Sequence, residues 1–74
     1  MRLRPINAQI WAVHTASGEH VGSFKRIGGV WKFKAIGYNA LGQVVPGGGP
    51  LTAQHNRVFA VLDGAELLLV PSHA

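Results

Sequence analysis

The chain has 74 residues, 47% of them hydrophobic and 14% charged, with seven Lys and Arg against three acids for a net charge of +4. One small domain is the most such a length supports, burying only about 60% of the surface its unfolded form exposes. The hydrophobic content excludes intrinsic disorder, and the absence of Cys excludes disulfide staples, thiolate metal sites and a cysteine nucleophile.

No apolar run follows Met1-Arg2-Leu3-Arg4-Pro5, and Leu67-Leu68-Leu69-Val70 is far shorter than the roughly 20 residues of a membrane helix. The expectation is a cytoplasmic protein without a membrane segment. Its basic excess sets up a positive field that attracts nucleic acid, anionic lipid or acidic protein.

In chain order, residues 1–8 read as an irregular basic arm, broken by Pro5 and Asn7. Residues 9–71 read as one compact domain and 72–74 as a short tail. Strands are expected at 9–15, 20–27, 30–38 and 43–46. Ser17-Gly18 and Gly28-Gly29 serve as two-residue loops between them, because the central positions of such loops favour φ > 0. The first loop sets Trp11 opposite Phe24 and Val13 opposite Gly22. The second sets Phe24 opposite Phe33 and Arg26 opposite Trp31. Both place Phe24 on an aromatic face, and a one-residue slip would destroy that agreement.

That face carries Trp11, Val13, Phe24, Trp31, Phe33 and Ala35, with Arg26 able to lie over Trp31. The other face carries Ile10, Ala12, His14, Val21, Ser23, Lys25, Lys32, Lys34 and Ile36, with Lys25 opposed to Lys32 and Ser23 to Lys34. Asn39-Ala40-Leu41-Gly42 suits a type I turn closed by a left-handed Gly42. Pro46 ends the fourth strand. Pro50 then fits the first position of a helix over 50–63, whose apolar stripe is Leu51, His55, Val58 and Leu62, widened by Phe59 and Val61. Gly64 stops that helix, and a last strand over 65–70 follows. The expected fold is α+β: an antiparallel sheet of four to five strands, strand–strand–strand–strand–helix–strand, in the order 4-3-2-1-5, with the helix packed on the aromatic face.

Three groups of residues are candidates for binding. Lys25, Lys32 and Lys34, with Ser23 beside them and Arg2 and Arg4 on the arm, form a surface for nucleic-acid phosphates. The bland reading of the same lysines is a solvated sheet face. Gly48 and Gly49, before the expected helix, and Thr52 in its first turn offer an anion site, although the Lys-Ser/Thr of a phosphate-binding loop is missing. Leu67, Leu68, Leu69 and Val70, apolar on both sides of the last strand, offer a self-association surface.

His55 on the apolar stripe reads as a buried, hydrogen-bonded histidine. His14 and His20 are expected on different faces, and His73 lies in the tail, so no metal site is expected. Glu19, Asp63 and Glu66 form no acid–base pair, and Ser17, Ser23 and Ser72 lack a His–acid partner, so neither catalysis nor a cofactor is expected.

From Val21 to Asp63, three strands, a following helix and the pattern Arg26-x-x-Gly29-x-Trp31-Lys32 resemble in layout the small three-stranded DNA-binding domains of plant transcription factors and phage integrase arms. The order of elements is also similar to the later part of a double-stranded-RNA-binding domain. Both resemblances imply a nucleic-acid partner. The departures are Trp31, turned inward here, and Pro50-Leu51-Thr52, standing where the RNA-binding domain has lysines, so no site residue is carried over. The sequence thus leads to a basic, non-catalytic module that contacts DNA or RNA, with a self-associating interaction module as the alternative.

Overall fold

Six antiparallel strands and two 3₁₀ turns make up the computed structural model, which describes residues 1–69. The strands are β1 (Arg2–Asn7), β2 (Ile10–His14), β3 (His20–Ile27), β4 (Val30–Tyr38), β5 (Val44–Pro46) and β6 (Val58–Phe59). The sheet runs β1-β2-β3-β4-β5, and β6 also pairs with β4.

The expected pairs named for the central strands are present. Trp11 faces Phe24 and Val13 faces Gly22, while Phe24 faces Phe33, Lys25 faces Lys32 and Arg26 faces Trp31. Gly28 and Gly29, at φ 55 and 86, form the β3–β4 turn where both central positions need positive φ. The turn after Tyr38 also forms as expected, with the Gly42 amide donating to the Asn39 carbonyl at 2.9 Å.

The first loop departs from expectation, with consequences for both faces. The Thr15 amide donates to the Glu19 carbonyl, and Gly18 at φ 91 donates back to Thr15, so residues 16–18 form a three-residue loop rather than a two-residue one. A bulge restores the register: Val13 pairs with Gly22 but His14 pairs with His20, leaving Val21 as the extra residue. Val21 therefore turns into the core, at 1% exposure, instead of joining the lysine face. His20 rotates the other way and stacks on His14, centroids 4.8 Å apart and planes at 22°. The expectation that these two histidines lie on different faces is corrected by the same bulge.

The expected irregular arm is strand β1. Arg2, Leu3, Arg4 and Pro5 pair with His14, Val13, Ala12 and Trp11. Leu3 packs against the core, which is the alternation a half-buried strand requires. Pro5 is accommodated because β1 is an edge strand, where a missing N–H costs no ladder bond. The outer neighbour of β2 is thus β1 and not residues 65–70, which corrects the expected order 4-3-2-1-5.

No α-helix forms among the described residues. The expected helix over 50–63 is replaced by a 3₁₀ turn at Thr52–Gln54, an extended stretch and β6. Asn56, at φ 69, breaks any helical path. The backbone of this segment is used elsewhere, along the free edge of β4. The Asn56 amide donates to the Phe33 carbonyl at 2.7 Å and the Phe33 amide donates to the Arg57 carbonyl at 2.8 Å. The Gly47 amide donates to the Ala35 carbonyl at 2.7 Å. Between them the Ala35 amide donates to Nδ1 of His55 at 3.0 Å. A helix would have left these β4 groups unpaired, at about 1–3 kcal/mol for each buried one. The resemblance to a double-stranded-RNA-binding domain, which depends on that helix, loses its basis.

The expected last strand is likewise a 3₁₀ turn, Ala65–Leu68, entered through Gly64 in the left-handed conformation. Val70 and the tail 72–74 lie outside the described residues.

The core sits on the aromatic face as expected, roofed by irregular chain in place of a helix. Phe24 is the centre, 5.3 Å from the Phe33 ring and 5.4 Å edge-on from the Phe59 ring. Leu51, Phe59, Ala65 and Leu69 close over it from the C-terminal segment, and Leu3, Trp11, Trp31 and Leu62 pack around it. Fully burying each large apolar side chain contributes about 1.5–3 kcal/mol. Of the expected stripe, Val58 and Val61 are instead exposed, because β6 and the loop after it turn them outward.

Candidate nucleic-acid interface

The sheet face opposite the core carries the chain's cations in cross-strand rows. One row runs Arg4, Ala12, Ser23 and Lys34 across β1 to β4. A second joins Ile10, Lys25, Lys32 and Val58. A third joins Arg2, His14 and His20. Because β1 is a strand, Arg2 and Arg4 become fixed parts of the lysine surface, where the sequence reading placed them on a loose arm.

Five of the seven Lys and Arg residues therefore share one face. The other two, Arg26 and Arg57, lie over the rings of Trp31 and Phe59, at 5.9 and 4.9 Å from ring centroids. None of the three acids stands in a strand: Glu19 is in the β2–β3 turn, and Asp63 and Glu66 follow β6. Arg2, Arg4 and Lys25 are exposed, while Ser23, Lys32 and Lys34 are half-buried.

Relief across the face follows from side-chain size. Ala12, only 2% exposed although it points away from the core, and Ser23 form a low floor between the longer Arg4 and Lys34. Arg4 and Lys34 stand three strand spacings apart, about 14 Å at ~4.8 Å per spacing. Lys34 is steadied by donating from Nζ to Oδ1 of Asn56 at 2.6 Å. Beyond Lys34 along β4, Tyr38 is 49% exposed and paired with Val44, so the face ends in an aromatic ring and a short apolar corner.

The other candidates fare differently. The Gly48 amide donates to the Val45 carbonyl, and the Thr52 amide and hydroxyl donate to Gly49 and Gly47 carbonyls at 3.2 and 2.6 Å. The Gly49 backbone abuts Gly37 so closely that a Cβ on Gly37 would lie 2.5 Å from the Gly49 nitrogen. The donors an anion would need there are largely used by the chain itself. Leu67 and Leu68 are 78% and 51% exposed, whereas Leu69 is buried in the core. His55 is hydrogen-bonded as expected, though half-buried rather than buried, through a partner in β4 that the sequence did not indicate.

Sequence reasoning missed the stacked His14–His20 pair on the basic face. The signal that marks it is Gly22, a lone glycine inside a strand, which is a usual sign of a bulge. No group of three or more metal-ligating side chains occurs among the described residues, and none of their helices is long and apolar enough to cross a membrane. Comparison with protein-family models, curated proteins and solved structures found no match to this chain.

Proposed function

We propose that this protein is a small non-catalytic module that holds DNA or RNA by its phosphates on the face formed by Arg2, Arg4, Ser23, Lys25, Lys32 and Lys34. One observation carries the reading: five cations gather on one open sheet face that no strand acid shares, while the remaining two are occupied by aromatic rings. Lys25 and Lys32 stand directly opposite each other, an arrangement that costs stability and that a phosphate between them would relieve.

Cations in rows on a rigid sheet contact backbone and carry little base information, so the binding is of low sequence preference. Each neutralised phosphate releases counterions, and log K falls with log salt by about 0.9 per contact on duplex DNA. Three to five contacts give a slope of about −3 to −4.5. Fluorescence anisotropy with a short labelled duplex and single strand, titrated at several salt concentrations, tests the proposal. Absence of binding to either at low salt rejects it.

A second reading is self-association, favoured by the exposure of Val61, Leu67 and Leu68 at 64%, 78% and 51%. It no longer works by strand pairing, because residues 65–68 form a 3₁₀ turn; apolar contact between copies takes its place. Light scattering over a range of concentrations decides it, and a monomer throughout counts against it. The two readings are compatible, since a dimer would present two basic faces.

A further inference from the structure

At the Arg2 corner of the basic face lies a cavity of about 400 Å³, lined by Arg2, Leu3, Arg4, His14, Thr15 and Gly18. We infer that it is a subsite for the terminal phosphomonoester of a nucleic-acid strand, so that the protein favours phosphorylated ends over internal backbone. This inference rests on the nucleic-acid reading above and adds to it a preferred position on the ligand.

Arg2 and Arg4 occupy alternate positions of one strand and point to the same side, about 6.8 Å apart along β1. Both are exposed, and neither stands opposite an acid: their cross-strand partners are His14 and Ala12. Both line the same cavity, and each guanidinium offers a planar fork that matches phosphate oxygens. Glu19, the acid nearest in sequence, is not among the residues lining the cavity.

The opposite wall is His14, whose ring is held in place by stacking on His20. Nε2 of His20 is buried without a hydrogen-bond partner, so polar capacity remains unused behind that wall.

The charge selects a strand end. Thr15 and Gly18 of the β2–β3 turn complete the lining of the cavity. That turn is braced, since Thr15 Oγ1 bonds the Ser17 hydroxyl at 2.9 Å and accepts from the Glu19 amide at 3.1 Å. A monoester brings a charge of about −1.5 to −2 at neutral pH, a better match to two guanidiniums than the single charge of a diester.

The test is anisotropy at fixed salt with one labelled oligonucleotide in three forms: hydroxyl at both ends, 5′-phosphate and 3′-phosphate. At least one phosphorylated form should bind about tenfold more tightly, the equivalent of one charge-assisted hydrogen bond. The Arg2→Gln, Arg4→Gln double variant should bring all three forms to a common, weaker affinity. Equal affinity of the three forms for the unaltered protein overturns the subsite and leaves the phosphate-binding face standing. A preference for phosphorylated ends that survives the double variant also overturns it. Failure of every form to bind rejects the face and the subsite together.

Discussion

Nδ1 of His55 accepts a hydrogen bond from the Ala35 amide at 3.0 Å, in the gap of the β4 edge between β5 and β6. One imidazole there does the work of a strand. It supplies the acceptor that neither the Gly47 backbone nor the Asn56–Arg57 backbone reaches, and so lets irregular chain finish a sheet edge. Replacing His55 by Ala leaves that amide unpaired in a part-buried position. The expected loss is about 1–3 kcal/mol of unfolding free energy, read from urea denaturation. Hydrogen exchange should show it locally, as lost protection of the Ala35 amide.

Asn56 carries the turn from His55 into the β4 edge at φ 69. Asn56→Val should cost about 1–2 kcal/mol from backbone strain, because a β-branched residue resists the left-handed region. Asn56→Gly keeps the backbone accessible and should be the milder change. It also removes the Lys34 contact, and the freed ammonium should bind phosphate at least as well. Thermal melts and anisotropy on the two variants separate the backbone effect from the side-chain effect.

Gly22 lies under Phe33, and a Cβ there would overlap the ring. Gly22→Ala should therefore destabilise the fold by about 1–3 kcal/mol, as overpacking does. Paired with Phe33→Leu, which makes room, the loss should be smaller than the sum of the two single losses. Additive losses in denaturant melts would mean that the ring does not limit this position.

Lys25 and Lys32 face each other across β3 and β4. Lys25→Glu converts a like-charged pair into an opposite one and should raise stability by about 0.2–1 kcal/mol. The same change should weaken nucleic-acid binding and make the salt slope shallower. A variant more stable and equally tight would show that the lysines serve solubility alone.

How much was legible depends on the range of the forces involved. The pairing of Phe24 with Phe33 and of Arg26 with Trp31, and the separation of aromatic from lysine face, follow from two-residue periodicity and the Gly28-Gly29 turn. Those are local rules, and each strand checks the next. Val21 and His20 escaped because a three-residue loop and a bulge shift the register in opposite senses, so their effects cancel everywhere except between them. Gly22 carried that information. The sequence counts Arg2 and Arg4 among the phosphate contacts but leaves them on a loose arm, because Pro5 and Asn7 read as breakers when their position on a sheet edge is unknown.

Residues 50–63 show the other limit. Their apolar spacing fits a helix, yet Leu51 and Phe59 reach the core from a 3₁₀ turn and a two-residue strand. Alternation and glycine turns determined the central three strands and which way every lysine points. Only the tertiary structure decided what closes the sheet's edges, because an unpaired amide on β4 is satisfied by whatever backbone or imidazole arrives beside it. That demand outweighs helical propensity in a segment this short, and no periodicity in the segment itself records it.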